Sequence, residues 1–284
     1  MRLRNVGIPA ASLAAVMLAA TVAAYAQRIW VGGPGGGFWR GGPPKFGSPA
    51  DFDGSFNYCR GFYSSATREA GGSGWGTDYP GADNNFSVRL AELTLIRVKL
   101  NADDGQPTHV VLRLTDPLIA RCPILFMEDV GTAKFADDEV RALHDYLLKG
   151  GFLWVDDFWG SYAWDRWTVE IARVLPPERF PITDVALDHP IMHTLYDVKR
   201  MPQVPAISFW YRSGGGTSER GSDSAIVTFK GIRDEQGRLM VVMTHNTDIA
   251  DTWEREGENR DYFDRFSPEG YAIGVNFILY AMTH

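Results

Sequence analysis

The sequence predicts an α/β fold, an open three-layer sandwich with a mostly parallel central sheet. Residues 124–155 contain a short apolar strand, a helix and a second apolar strand with short connections, which is the pattern of a parallel crossover unit. The second strand of this unit, residues 152–155, is continuously apolar, as a strand covered by helices on both faces must be. Helical and apolar strand patterns continue to alternate before and after this unit.

The first half of the domain contains three predicted elements before the crossover unit, followed by the first strand and the helix of that unit. Residues 55–63 predict a strand rich in aromatic side chains, and residues 85–99 predict a helix because apolar residues recur at helical spacing. Short apolar runs at residues 110–114 and 124–127 predict two strands. Acids at the start of residues 137–151 and two glycines at their end predict the bounds of the crossover helix.

The second half predicts a helix, a hairpin and a final helix. Ser161 is a candidate cap for a helix that ends before Pro176-Pro177. Residues 225–233 and 238–245 flank a four-residue turn that ends in glycine, which predicts an antiparallel hairpin. The last helix is predicted to begin with Ser267 as its cap and Pro268 at its first position. The charged residues 251–265 before it are predicted to be a solvated loop or a mobile flap.

The N-terminus has the pattern of an export signal. Two arginines precede a long apolar run that ends in an A-x-A cleavage site, so residues 1–26 are predicted to be a signal peptide. Residues 27–50 are rich in glycine and proline and are predicted to form a flexible leader before an α/β domain at residues 51–284. The protein is therefore expected to be periplasmic or extracellular. No later run is long enough to predict a transmembrane segment in the mature chain.

The composition excludes several classes of protein. The chain has 284 residues, 45% of them hydrophobic, a formal net charge of −7 and two cysteines. These values are typical of a globular domain and argue against a disulfide-scaffold miniprotein. The acidic balance also argues against a protein that binds nucleic acid through bulk positive charge.

Polar side chains follow three predicted strands, where ligands bind in open α/β sheets. If these strands are neighbours, their side chains share one edge of the sheet, which we call the acidic rim. The acidic rim comprises Glu128, Asp129, Asp156, Asp157, Trp159, His245, Asn246 and Asp248.

Two interpretations of the acidic rim compete. Carboxylates and a carboxamide are ligands for a divalent cation such as Ca²⁺ or Mg²⁺, and acids beside a tryptophan can also bind a sugar ring. Alternatively, these residues cap the helices and turns that follow the strands, as Asp157 can do for the turn before Ser161. No cofactor is predicted, although a divalent cation is compatible with the pattern.

Residues 74–86 form a loop rich in glycine and polar side chains directly before a helix. Asp83 or Asn84 is a candidate helix cap, whereas Asp78, Tyr79 and Arg89 are less easily explained in this way. Arg89 lies near the apolar stripe of the helix, where a buried guanidinium needs an acidic partner. We expect Asp78 or Asp83 to be that partner.

The cysteines and two histidines leave alternatives open. Cys59 and Cys122 each lie in or just before a predicted strand and can form a disulfide after export or remain two buried thiols. His189 and His193 have i,i+4 spacing, but Pro190 makes this segment a poor helix for a zinc site, so a turn with a short helix is predicted.

Four ordered motifs resemble one bacterial family. They are WGTDYPGADNNF at residues 75–86, GGFLWVDD at 150–157, DHP at 188–190 and GVNFILYA at 274–281. Together they resemble the DUF4159 domain over residues 52–284. The resemblance implies a flavodoxin-like sandwich similar to the class I glutamine amidotransferases and no established activity. Some relatives end longer membrane-anchored proteins that are encoded with MoxR-type ATPases and von Willebrand factor A proteins.

Two functional hypotheses remain at this point. The turn after residue 155 reads DDFWGS, without the cysteine of an amidotransferase, and the chain has no G-x-S-x-G motif. The first hypothesis is a non-catalytic binding module of the cell envelope that holds a glycan, a cation or a partner protein. The second is a hydrolase that uses carboxylates such as Glu128, Asp156 and Asp157, or a metal, on a carbohydrate.

Overall fold

The structure is a computed structural model in which residues 43–284 are described. This part of the chain forms nine strands and six helices. The strands are β1 (Tyr58–Phe62), β2 (Ser64–Ser65), β3 (His109–Arg113), β4 (Leu125–Glu128), β5 (Ala133–Lys134), β6 (Leu153–Asp156), β7 (Ile182–Asp184), β8 (Thr228–Arg233) and β9 (Leu239–His245). The helices are α1 (Gly81–Leu93), α2 (Asp137–Leu148), α3 (Gly160–Val174), α4 (Ile207–Arg212), α5 (Asp251–Glu254) and α6 (Arg260–Thr283).

Seven strands form one sheet in the order β3-β1-β4-β6-β9-β8-β7. The first five are parallel, whereas β8 and β7 are antiparallel to their neighbours β9 and β8. From β1 the chain passes to β3 at the edge and then returns to β4 on the other side of β1. The parallel strands thus have the flavodoxin-like order, and the switch point, where such folds bind ligands, lies between β1 and β4.

Each central strand sends alternate side chains into two separate cores. In β6, Trp154 packs into the core beneath α1 and α6, while Leu153 and Val155 pack into the core beneath α2 and α3. Phe126 of β4 and Val242 of β9 follow the same alternation. The continuously apolar strands are therefore covered on both faces, which confirms the predicted three-layer α/β sandwich.

Several predicted element bounds are wrong. Helix α1 begins at Gly81 and ends at Leu93, so Asp83 and Asn84 lie in its first turn and are not its caps. Residues beyond Leu93 leave the helix because their backbone pairs with the start of the sheet: the Lys99 N–H donates to the Phe56 carbonyl at 2.7 Å. Tertiary pairing overrides the helical spacing of the apolar side chains there.

The caps predicted for α3 and α6 are also wrong. Trp159 precedes α3, and the Ser161 backbone N–H donates to Asp223, which satisfies that helix start from a distant loop. Helix α6 begins at Arg260 behind Asn259, whose side chain accepts from the Tyr262 N–H at 2.8 Å. Pro268 therefore lies inside this helix.

The charged residues 251–265, predicted to be a solvated loop or mobile flap, are largely helical. They include all of α5 and the first turns of α6. Asp251, Thr252 and Trp253 are buried, and the Trp253 ring packs 4.7 Å from that of Phe86 between ring centroids. Buried apolar anchors thus hold a segment whose charge suggested solvent exposure.

The described chain begins against the edge of the sheet. Residue Gly47 donates its N–H to the carbonyl of Val111 in β3, and the Val111 N–H donates to the Lys45 carbonyl. The packed structure thus includes the last residues of the predicted leader. The predicted signal peptide and the rest of the leader lie outside the described residues. Within residues 43–284, no helix is long and apolar enough to cross a bilayer.

Cys59 and Cys122 form a disulfide with a Cα–Cα separation of 6.1 Å. Cys59 lies in β1, and Cys122 lies shortly before the neighbouring strand β4. The bond encloses the loop after β1, helix α1 and strand β3. It therefore ties β1 to the segment that leads into β4, the strand on the other side of the switch point.

Candidate functional site

Residues in an unusual backbone conformation follow three neighbouring strands of the sheet. Asp129, Asp157 and Asn246 each follow directly after β4, β6 and β9, and all three have positive φ, at 51°, 49° and 62°. Asp78, in the loop before α1, has φ of 59°. Aspartate and asparagine tolerate this left-handed conformation best among residues with a side chain, and such outliers concentrate at functional sites. These strand ends are therefore a candidate functional site.

The last residues of β4 and β6 support the fold. Glu128 is 2% exposed and its carboxylate lies 2.5 Å from the Arg60 guanidinium. Asp156 is 4% exposed and accepts hydrogen bonds from the Thr244 hydroxyl and, at 3.0 Å, from the Ala250 N–H. Burial raises the pKa of Glu128 to about 7 and that of Asp156 to about 8.

Arg60, which sequence reasoning missed, is the central basic residue beneath the switch point. Its side chain is fully buried in β1 and contacts Asp83 at 2.5 Å in addition to Glu128. It also donates to the backbone carbonyl of Thr77 at 2.8 Å, so it fixes the loop before α1. The signal in the sequence was an arginine within an aromatic strand, because a charge there needs buried partners.

The prediction that Arg89 pairs with Asp78 or Asp83 is wrong. Arg89 is half-buried and pairs with Glu92 at 2.7 Å and with Glu256 at 3.2 Å. Asp83 instead pairs with Arg60, because the first turn of α1 lies over β1. The expected ion pair beneath the site therefore exists, but between different elements.

Tyr79 lies away from the strand ends. Its hydroxyl is 3.0 Å from Nε2 of His109 in β3 and accepts from the Lys45 N–H at 2.9 Å. Tyr79 thus anchors the loop to the sheet edge, while the preceding residue, Asp78, accepts no side-chain hydrogen bond in the part of the chain that the structure describes. The Asp78 Oδ2 atom is also shielded from solvent.

Five carboxylates gather at the strand ends beside α5 and form what we call the acidic crevice: Asp78, Asp157, Asp248, Asp251 and Glu254. One oxygen each from Asp78, Asp251 and Glu254 lie within 4.8 Å of one another. Asp248 Oδ1 accepts from the Asp251 N–H at 2.9 Å. Burial raises the pKa of all five, and neighbouring carboxylates are the next strongest influence at every one except Asp251, whose pKa is lowered in part by Arg255.

The acidic crevice has little compensating charge. Within residues 43–284, Arg255 is the only basic side chain at ion-pair distance from any of its five carboxylates. It contacts Glu254 and lies 3.5 Å from Asp251. Buried like charges are costly unless they are protonated or balanced by a cation, so this arrangement favours the entry of positive charge.

The loop after β1 covers Asp129 and places the Glu69 carboxyl beside it. Asp129 Oδ2 accepts from the Gly74 N–H at 2.7 Å, while Glu69 accepts from the Trp159 N–H and pairs with Arg220 at 3.1 Å. Burial, then the neighbouring Glu69 carboxyl, raises the pKa of Asp129 to about 8. Glu69, which the sequence did not reveal, also borders a cavity of about 200 Å³ with Trp159 and Arg220.

Gly72 permits this close approach. A Cβ at residue 72 would lie 2.3 Å from Asp129 Oδ2. Only a residue without a side chain lets the backbone cover that carboxylate. The glycines of this loop thus serve the contact with β4 in addition to turning the chain.

The remaining acidic-rim residues fulfil structural roles. Trp159 is 4% exposed and donates from its indole to Asp157 at 2.8 Å, so it offers no face on which a sugar can stack. Asn246 accepts from the Gly160 N–H at 2.8 Å and so completes the start of α3. His245 bonds the Gly160 carbonyl at 3.0 Å, and burial lowers its pKa.

The structure thus divides the predicted site residues into two groups. Asp78, Asp157 and Asp248 meet in the acidic crevice, together with Asp251 and Glu254. Sequence reasoning missed these last two because their segment was interpreted as a loop. The other predicted residues support the fold or lie elsewhere: Tyr79, Asp83, Arg89, Glu128, Asp129, Asp156, Trp159, His245 and Asn246.

Comparison with known families agrees with the motifs. The model of a domain of unknown function, DUF4159, matches residues 65–282. The chain belongs to the DUF4159 family. A search of curated proteins found no match. The matched region of this DUF4159 protein begins at β2 and includes every carboxylate of the acidic crevice.

The pair of Glu69 and Asp129 predicts a fall in stability as pH rises. Unfolded aspartate ionises near pH 4, whereas folded Asp129 keeps its proton until about pH 8, so ionisation opposes folding between these values. From pH 6 to pH 8 the ionisation of Asp129 alone should lower the free energy of unfolding of this DUF4159 protein by about 2 kcal/mol, or its melting temperature by about 4 to 8 °C.

Thermal unfolding in EDTA at pH 6 and pH 8 measures this effect. Asp129→Asn keeps an acceptor for the Gly74 N–H and should reduce the pH dependence by about this amount, whereas the exposed control Asp165→Asn should leave it unchanged. A melting temperature that is constant or rises from pH 6 to pH 8 in the unsubstituted protein contradicts the prediction.

Proposed function

We propose that this protein is an exported, non-catalytic binding module of the bacterial cell envelope that holds its ligand at the acidic crevice. The observation that supports this proposal is the excess of buried and half-buried carboxylates over basic side chains in the acidic crevice. A ligand that brings positive charge into the crevice relieves this repulsion. The N-terminal export pattern supports the location.

The proposal gives the strand ends a binding role instead of a catalytic one. Glu128 is engaged by Arg60, and Asp156 by Thr244 and the Ala250 N–H, so neither carboxylate is free to act as an acid or base. Backbone N–H groups hold two of the crevice carboxylates: the Ile207 N–H donates to Asp251 at 2.7 Å, and the Asp251 N–H donates to Asp248 at 2.9 Å. A preformed site of this kind lowers the conformational entropy lost on binding.

Isothermal titration of the secreted protein tests the binding role. The probes are CaCl2, MgCl2 and a chitosan tetrasaccharide, which carries amines, with the neutral chitin tetrasaccharide as matched control. We expect at least one cationic probe to bind more tightly than about 1 mM, and the neutral sugar not to bind. Asp78→Asn combined with Asp248→Asn should weaken that binding at least about tenfold, whereas Asp165→Asn should not. If none of the cationic probes binds below 1 mM, the proposal is wrong.

A second candidate function is a hydrolase that acts on a carbohydrate. The observation that favours it is the raised pKa of Asp129 beside Glu69, which keeps a proton near neutral pH as a general acid must. Incubation with purified cell-wall glycan, followed by chromatography of the soluble products, separates the two functions. Product release that is lost in Asp129→Asn would favour the hydrolase.

A further inference from the structure

Within the proposed binding function, on which this inference rests, the geometry points to a site for a hard divalent cation. Its ligands are Asp78, Asp251 and Glu254. One oxygen from each lies within 4.8 Å of the other two. Oxygens bound to one Ca²⁺ at about 2.4 Å are at most about 4.8 Å apart, so all three can contact a single ion.

The unpartnered oxygens of the crevice are independent support for this site. The Asp78 carboxylate accepts no hydrogen bond from residues 43–284, and its Oδ2 is buried. Asp248, by contrast, is 2% exposed and has a donor, because its Oδ1 accepts from the Asp251 N–H. Buried polar atoms are normally satisfied, so the buried Asp78 oxygen without a donor indicates a missing positive partner.

The backbone holds these carboxylates in place. Asp251 Oδ2 accepts from the Ile207 N–H at 2.7 Å, while its Oδ1 lies 3.5 Å from Nε of Arg255. The Glu254 side chain packs against Gly81 at the start of α1, where a Cβ would lie 2.9 Å from Cγ of Glu254. Asp78 is held by its left-handed backbone between the anchors Thr77 and Tyr79. The three ligands thus come from the loop before α1 and from α5.

Arg255 occupies the position of the counter-charge in this structure. Its guanidinium contacts Glu254 and lies 3.5 Å from Asp251, yet the side chain is 38% exposed. Arg255 can therefore turn into solvent when a cation enters. Its removal should strengthen cation binding, because the cation no longer competes with a resident positive charge.

Three variants distinguish a cation site from a purely structural cluster. Asp78→Asn removes one ligand charge, and its left-handed backbone accommodates asparagine. Arg255→Gln removes the competing charge, and Asp165→Asn on the exposed face of α3 is the matched control. Calcium and magnesium binding to the EDTA-treated, secreted protein is measured by isothermal titration, with thermal unfolding to show that each variant is folded.

We expect at least one of the two ions to bind the unsubstituted protein and raise its melting temperature by several degrees. Asp78→Asn should weaken binding about tenfold or more, Arg255→Gln should strengthen it about threefold or more, and Asp165→Asn should leave it unchanged. If the ions bind equally to all four proteins, they bind elsewhere and the inference is wrong. If only the chitosan tetrasaccharide binds, the cation site is wrong and the proposed binding function stands. If no cationic probe binds, both are wrong.

Discussion

Replacing Arg60 with methionine is expected to lower the free energy of unfolding by about 3 to 5 kcal/mol. The guanidinium is fully buried and lies 2.5 Å from both Asp83 and Glu128. Methionine fills a similar volume but leaves two buried carboxylates without their counter-charge. It also removes the donor to the Thr77 carbonyl, so the loop that carries Asp78 loses an anchor.

Urea unfolding followed by tryptophan fluorescence measures this loss. Arg89→Met is the matched control, because Arg89 forms two partly exposed ion pairs and should contribute less than about 1 kcal/mol. Arg60→Lys keeps the charge but not the forked geometry, so it should fall between the two. Equal losses for Arg60→Met and Arg89→Met would show that Arg60 is not the central support of the switch point.

Removing the disulfide between Cys59 and Cys122 is expected to lower the free energy of unfolding by about 4 kcal/mol. The two cysteines are separated by 63 positions in the sequence, and opening this loop increases the entropy of the unfolded chain. For a domain of this size the melting temperature should fall by about 8 to 16 °C.

The double variant Cys59→Ala/Cys122→Ala, compared with the oxidised protein by thermal unfolding, tests this prediction. The oxidised protein in dithiothreitol should unfold at nearly the same lower temperature, whereas dithiothreitol should not affect the double variant. Two free thiols in the denatured, unreduced protein would contradict the disulfide. An unchanged melting temperature in the double variant would contradict the predicted loop contribution.

Substitutions in the acidic crevice should affect the protein differently from the loss of Arg60 or of the disulfide. Arg60 and the disulfide hold β1 against its neighbours, and their loss should reduce stability without a cation. Asp78 accepts no stabilising hydrogen bond in the described part of the chain and repels its neighbours, so Asp78→Asn should not destabilise the metal-free protein. Stability and ligand binding can therefore be tested separately at one site.

Local patterns in the sequence were sufficient for the fold class. The continuous apolar run at residues 152–155, and the helix with acids at its start and glycines at its end, each depend on neighbouring residues only. The antiparallel hairpin of β8 and β9 was predicted for the same reason. The family was likewise recognisable from short motifs, and the family match confirms it.

Tertiary structure alone decided which polar residues meet. Asp78 and Asp251 are far apart in the sequence, and no local pattern indicates that the loop before α1 and helix α5 share a crevice. Asp83 and Glu128 pair with Arg60, because strand order places β4 and the start of α1 against β1. Arg89, the partner expected for Asp83, does not pair with it. Secondary structure follows from local hydrophobic periodicity and backbone preferences, whereas the pairing of buried charges depends on the topology of the sheet.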